Sequence, residues 1–379
     1  YDKFDTNTTI GWAKQKNLLQ SPDIWLLSKL QKLIKKTNEL NDKCKFHESA
    51  KALEDFIINL LSQIYIPITR GELWDEDESK KELRFAIYAV LFEILKTLDV
   101  IIHPMCPFTS EYLYLNTFGK KKSILLESWP IADSSLENET IEESFDLLKE
   151  VVSISAAARM KGKLKRRWPL NEAIICVEKN KKEKLESLSE LLLAQLNVEK
   201  FTVHEIENFD GLDQLRELKK LQLPIVSKIE MDRKKIGPKA KQFMGNLVKI
   251  FGETNPDDIV DNLHSGNHEF VIDGNKIILD REDFVVDFDA KEGFAVSKRG
   301  NFVVFISTTR NQDMMARGLV KDIARRLQTL RKERGYNPTD VLNVASILDL
   351  EDEQLEMLKQ KEKDLAFLVR VNSVNFTES

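Results

Sequence analysis

A chain of 379 residues, 42% of them hydrophobic, exceeds what one core usually serves, so two to four domains are expected. No apolar run approaches the roughly 20 residues of a membrane-spanning helix, and the first residues, with Asp2, Lys3 and Asp5, do not read as a secretion signal. A soluble, cytoplasmic protein without a membrane partner is expected, and its net charge of −5 speaks against nucleic acid only as an average.

Cys44, Cys106 and Cys176 stand far apart, which excludes a Cys-x-x-Cys zinc ribbon and suits a reducing compartment, so neither zinc nor a disulfide is expected. Charge is segregated. Residues 151–182 hold nine Lys or Arg against two acids, residues 219–249 again nine against two, and residues 310–334 eight against three. Acid gathers at Asp75, Glu76, Asp77 and Glu78 and along 133–150. A one-sided electrostatic footprint is compatible with such a chain, although each cluster also reads as an ordinary solvated face.

Ser21-Pro22 is a helix start, with Ser as cap and Pro at the first helical position, and Leu26, Leu30, Leu33, Ile34, Thr37 and Leu40 follow at helical spacing. A second helix is expected over Phe46–Ile68, broken near Pro67 and Gly71. A third, between the acidic cluster and Pro104, is apolar nearly all round from Leu83 to Ile102, as a central helix must be. These three predict an antiparallel helical bundle over 1–136. Beyond Pro130 the pattern alternates. A helix over 140–160 leads to Pro169, a strand at 173–177, a charged helix to about 195 and a strand at 200–204, one αβαβ unit over 137–208. Residues 209–309 are mixed α and β, with a hairpin at Asp273-Gly274 and further strands at 285–288, 294–296 and 302–306. The unit then returns over 310–379: a helix at 312–334, Pro338, a strand at 341–345, a charged helix to about 362 and a strand near 371–376. Both units end on related strings, Leu196-Asn197-Val198-Glu199-Lys200-Phe201-Thr202 and Val371-Asn372-Ser373-Val374-Asn375-Phe376-Thr377, which reads as a degenerate duplication. The fold class is thus multi-domain, α plus α/β.

Catalytic groups are thin. The five histidines, His47, His103, His204, His264 and His268, are scattered; His264 and His268 sit near one polar loop, where solvation is commoner than metal binding. No Gly-rich phosphate loop, Gly-x-Ser-x-Gly or paired-carboxylate motif occurs. Basic and aromatic residues are better placed. Lys29, Lys32 and Lys36 follow i, i+3, i+7 and Lys43, His47 and Lys51 follow i, i+4, i+8, so each set lines one side of a helix. Single-stranded RNA is held by Lys and Arg on phosphates and by bases stacked on aromatic or Arg planes, which marks Arg70 with Trp74, and Arg159, Lys163, Lys165, Arg166 and Arg167 with Trp168. For the tryptophans, a place in the core is the competing reading.

At these residues the chain resembles the region that follows the catalytic core in class Ia isoleucyl-tRNA synthetases of the archaeal and eukaryotic-cytoplasmic type. Asp23-Ile24-Trp25-Leu26-Leu27-Ser28-Lys29-Leu30 is similar to the start of the family's anticodon-binding bundle. Tyr65-Ile66-Pro67-Ile68-Thr69-Arg70 with Trp74, and Pro104-Met105-Cys106-Pro107-Phe108-Thr109-Ser110-Glu111, resemble segments within it. Lys163–Leu170, Gln195–Lys200 and Ala316–Gln328 match later signatures in the same order, so the resemblance spans nearly the whole chain. It implies a part in the ATP-dependent joining of isoleucine to its tRNA, as a monomer, with tRNA(Ile) and the N-terminal catalytic and editing domains of the same protein as partners. The family's ATP-binding motifs are not in this sequence; Arg159-Met160-Lys161-Gly162-Lys163 echoes Lys-Met-Ser-Lys-Ser only superficially, and this chain alone is expected to be inactive and to hold no cofactor. The corresponding part of a valyl- or leucyl-tRNA synthetase is a near alternative, against which the stretch Arg331–Asp340 speaks, and a protein-interaction module is a more distant one.

Overall fold

The computed structural model describes residues 8–75, 77–337 and 339–378; Asp2, Lys3, Asp5, Glu76 and Pro338 lie outside them. The chain divides into two units, 1–147 and 148–379.

The first unit has no strand among its described residues. Helix α1 is Ile10–Gln15, capped by Thr9, whose Oγ1 accepts from the Trp12 N–H at 3.3 Å. Helix α2 is Ser21–Asp42. Its cap is Gln20 rather than the expected Ser21, because the Gln20 N–H donates to Asp23 Oδ2 at 2.8 Å and Ser21-Pro22 lie inside the first turn. Asp23 also accepts from the Tyr65 hydroxyl at 2.6 Å, and both residues are buried. Trp25, Leu26, Leu27, Leu30 and Ile34 form the apolar face of α2, each such burial contributing about 1.5–3 kcal/mol. A turn with Cys44 at φ +56° leads to helix α3, Phe46–Asp55.

The break expected at Pro67 does not occur. Residues Phe56–Tyr65 continue α3 as a π-helix, and helix α4, Ile66–Leu73, takes Pro67 into its first turn and Gly71 into its body. The Ile66 N–H bonds the Leu61 carbonyl five residues back, and the helix runs on through Pro67, whose missing N–H falls where the π bonding gives way to α. Helix α5, Lys81–Ile102, buries Ala86, Ile87, Val90, Ile94, Leu98 and Ile101 but leaves Leu95 exposed, so it is not enclosed all round. Helix α6, Pro107–Leu113, follows, and helix α7, Glu139–Lys161, runs across the division between the units. Within the first unit, Phe145 of α7 stacks on Trp25 at 4.7 Å between centroids.

In the second unit β1, Leu170–Val177, is followed by two short helices, α8 (Lys182–Glu186) and α9 (Ser189–Leu196), where one was expected, and then by β2, Val198–Glu205, parallel to β1. Next come α10 (Gly211–Lys220), β3 (Ile225–Met231), α11 (Arg233–Ala240), α12 (Met244–Glu253) and α13 (Pro256–Ser265). The hairpin of β4 (Asn267–Ile272) and β5 (Asn275–Asp280) turns on Asp273 and Gly274, at φ +50° and +79°, the geometry an Asp-Gly pair supplies. Strand β6 (Phe284–Ala290) pairs with β3, and β7 (Phe294–Arg299) and β8 (Phe302–Ser307) extend the first sheet to the order β2-β1-β8-β7. Leu215, Ile236, Leu247, Ile259, Leu279 and Phe305 are among the core of this middle segment.

The chain ends with α14 (Gln312–Glu333), β9 (Leu342–Leu350), α15 (Asp352–Gln360), α16 (Glu362–Val369) and β10 (Val371–Glu378); β9 and β10 form a separate parallel pair. Residues 139–205 and 312–378 therefore follow one order of elements. The likeness reaches individual bonds. Helices α9 and α16 end on left-handed residues, Asn197 and Arg370, whose carbonyls accept from the Leu170 and Leu342 N–H groups at 3.1 and 3.0 Å. Leu170-Asn171, Ala173 and Ile175 recur as Leu342-Asn343, Ala345 and Ile347.

Candidate nucleic-acid interface

Basic residues of the second unit meet where the loop after α7 lies on α14. Arg159, in the last turn of α7, is 4% exposed and gives its guanidinium to four carbonyls: those of Lys165 at 3.1 Å, Trp168 at 3.0 Å, Leu196 at 2.8 Å and Asn197 at 3.2 Å. Burial, with the charge of Arg166 nearby, lowers this guanidinium to about 10. Arg159 thus fastens the loop instead of facing a ligand, contrary to its expected place in the surface.

The loop is held at its other end by Trp168. Its indole Nε1 donates to Asp322 at 3.0 Å, its ring is covered by Arg310 at 4.8 Å and Lys165 at 5.4 Å from the centroid, and its face rests on Gly318. A Cβ at Gly318 would lie 2.5 Å from the ring, so only glycine admits this approach. Trp168 is therefore packed, not presented for stacking. Asp322 also pairs with Lys165 at 2.7 Å and Arg167 at 3.4 Å. Burial alone would raise its carboxyl, but the hydrogen bonds from Lys165 and Trp168 and the two cations outweigh that and hold it below the usual range.

Between loop and helix runs a groove of about 820 Å³, lined by Lys165, Arg166, Arg167, Arg325 and Arg326 against Asp322 and Glu333. Arg166 is exposed, and Lys163, exposed at φ +53°, turns the chain into the loop. The excess of cations suits a run of phosphates, which position nucleic acid without reading sequence. Arg325 and Arg326 were not singled out from the sequence; with Asp322 and Thr329 they follow one helical face, the spacing that could have marked them.

In the first unit the two basic stripes come apart. Lys29 turns to Glu142 at 2.8 Å and Asp146 at 3.9 Å, and Lys32 joins Glu142 at 2.9 Å, leaving Lys36 as the exposed member. Lys43 caps α2, outside the helix that carries His47 and Lys51, and pairs with Glu39 at 2.5 Å. His47 and Lys51 remain exposed on α3. Arg70 is exposed near the end of α4, with Trp74 49% exposed one turn on. A helical stretch from 46 to 73 sets them roughly 30 Å from His47, so Arg70 and Trp74 lie at the opposite end of that stretch from the stripe.

Among the described residues no group of three or more His, Cys, Asp or Glu could hold a metal ion, and none of the helices is long and apolar enough to cross a membrane. His268 is buried on β4 with Asn262 at 3.0 Å rather than solvated in a loop. Cys44 and Cys106 are exposed, and burial pushes the Cys176 thiol up to about 12.

Residues 23–175 of the chain match the family described as the anticodon-binding domain of tRNA ligase. Over nearly its whole length it is similar to isoleucine–tRNA ligases: that of Saccharolobus solfataricus, 27% identical across 100% of this chain and 36% of the relative, that of Sulfolobus acidocaldarius, 26% across 92% and 32%, and that of Porphyromonas gingivalis, 25% across 89% and 28%. The chain thus spans about a third of the length of these curated relatives.

Proposed function

We propose that this chain is the tRNA-holding part of an isoleucine–tRNA ligase, a cytoplasmic enzyme that joins isoleucine to tRNA(Ile) with ATP. The match of residues 23–175 to an anticodon-binding domain carries the reading. In it, the helices of the first unit form an antiparallel bundle that takes the anticodon loop, and the groove of Lys165, Arg166, Arg167, Arg325 and Arg326 grips the tRNA backbone. Catalytic and editing domains of the same polypeptide supply the ATP site; the protein acts as a monomer and needs no zinc in this part. Base reading needs planar or forked groups beside an unstacked loop, and Arg70 and Trp74 at the end of α4 fit that need.

Gel-shift titration of the chain with tRNA(Ile), with the same tRNA carrying a substituted anticodon and with an unrelated tRNA tests this. Native tRNA(Ile) is expected to bind tightest. Trp74→Ala or Arg70→Ala is expected to cost about 1–3 kcal/mol with the native anticodon and little with the substituted one. Equal affinity for all three RNAs would refute anticodon recognition by this chain.

A further inference from the structure

The two αβαβ stretches differ in what covers their first strand. In the first, β8 pairs antiparallel along β1 from Ala173↔Ile306 to Val177↔Phe302, and the middle segment packs on the face that carries Ile174 and Cys176, the latter 0% exposed. Leu342 matches Leu170, so Ala345–Asp349 of β9 correspond to the paired Ala173–Val177. Among the described residues no strand pairs with that edge of β9. The matching face is open as well: Leu348, in the place of Cys176, is 61% exposed, with Val344 46% exposed on the same face.

Exposed edges are normally blunted by charge, proline or bulges. The free edge strand β2 follows this rule with Glu199, Lys200 and Glu205; β9 follows it only at its C-terminal end, where Asp349 at φ +56° accompanies a shift in register against β10, and Leu342–Leu348 ahead of it contains no charged residue and no proline. Helices α14, α15 and α16 cover the other face, where Ala345 and Ile347 join Val320, Leu358 and Leu365, so the face of Val344 and Leu348 is the one left uncovered. We propose that the edge of β9 docks an extended segment of another protein, which adds as an antiparallel strand in the way β8 adds to β1. The segment is rich in Val, Ile or Phe at alternating positions, to cover Val344 and Leu348. Its N-terminal end is basic, because an antiparallel partner begins beside Asp349, Glu351, Asp352 and Glu353. The same acids disfavour a second copy of this chain, whose β9 would bring Asp349 towards Asp340 across the pair.

The probe is a fluorescent peptide, Lys-Lys-Phe-Val-Val-Phe-Ile-Ser, the β8 sequence behind two lysines, titrated into the full chain by fluorescence anisotropy. Saturable binding is expected, with hydrogen-exchange protection appearing at 343–348 and not at 173–177. Of two peptides N-methylated at alternate residues, the one whose methyl groups face the edge should bind about tenfold weaker or worse, which tests strand pairing without altering the protein. Leu348→Lys, a change on the open face checked for folding by circular dichroism, should weaken binding by about tenfold. Absence of saturable binding, equal binding of both methylated peptides, or protection confined to β1 overturns the proposal. So does a wild-type dimer in sedimentation that Leu348→Lys makes monomeric and the peptide leaves intact.

Discussion

Arg159 and Arg331 hold the same position in the two αβαβ stretches of the chain. Each lies eleven residues ahead of the first strand residue, Leu170 or Leu342. Each also donates to the last carbonyls of the helix pair that follows: Leu196 and Asn197 for Arg159, Val369 and Arg370 for Arg331. A planar fork with five donors can serve four carbonyls in fixed directions, more than the three N–H groups of a lysine could reach. Arg331 completes its set with the carbonyls of Asn337 at 3.3 Å and Asp340 at 2.6 Å.

Arg159→Met is expected to destabilise the protein by about 3–5 kcal/mol, since it strands four carbonyl acceptors gathered around a side chain that is 4% exposed. The same change at the half-buried Arg331 should cost about 1–3 kcal/mol, because water reaches its partners. Urea denaturation of both variants measures this; equal, small losses would show that the forks are incidental.

The packing of Gly318 against Trp168 gives a second test. Gly318→Ala drives a Cβ into the indole, and overpacking of this kind costs about 1–3 kcal/mol, more than the roughly 1 kcal/mol that alanine returns in helix propensity. Displaced from Asp322, Trp168 should also change its fluorescence, which a Trp168→Phe background would abolish.

The pH dependence of stability should be set in part by Asp99. It is 5% exposed, neither carboxyl oxygen has a hydrogen-bond partner among the described residues, and burial with Glu111 nearby pushes it to about 6 from an ordinary 3.8. The folded state holds this proton more tightly than the unfolded chain does, so stability falls as pH rises between about 4 and 6, and the penalty is complete at pH 7. Asp23 is likewise pushed to about 6 by burial, against the hydrogen bonds from Tyr65 and Gln20, and acts in the same window and direction. Asp99→Asn is expected to stabilise by about 1–3 kcal/mol at pH 7 and to change little at pH 4. Melting curves at the two pH values decide it, and an identical shift at both would remove Asp99 from the account.

For the groove, replacing Arg166, Arg325 and Arg326 together by alanine should weaken all tRNAs alike and lower the salt slope by about one for each phosphate no longer neutralised. Lys165→Ala should do less, its charge being already matched by Asp322. An unchanged slope in the triple variant would leave the groove as solvated surface.

What the sequence made legible is what depends on neighbours along the chain. The spacing of Leu26, Leu30 and Ile34 announces α2, and Asp273-Gly274 announces its hairpin. The charge of 163–167 is equally plain. Which of those charges face outward depends on partners far away in sequence: Lys29 is claimed by Glu142, and Lys165 and Arg167 by Asp322. Charge density cannot distinguish a guanidinium turned onto carbonyls, as at Arg159, from one turned to solvent. Nor did the apolar run 46–68 reveal that Lys43 is cut off from His47 by a left-handed Cys44, a conformation cysteine seldom adopts.

The π-helical residues Phe56–Tyr65 have a consequence for where the end of α4 points. Bonds that span five residues hold more chain per turn than α-helical ones, so the azimuth of everything downstream depends on how many residues this stretch contains. Deleting one residue here while the five-residue bonding persists would swing Arg70 and Trp74 by up to about 100° around the axis without touching either. Their aim is thus encoded in a residue count some ten positions upstream, and a relative one residue shorter between 56 and 65 would turn a different face to the same ligand.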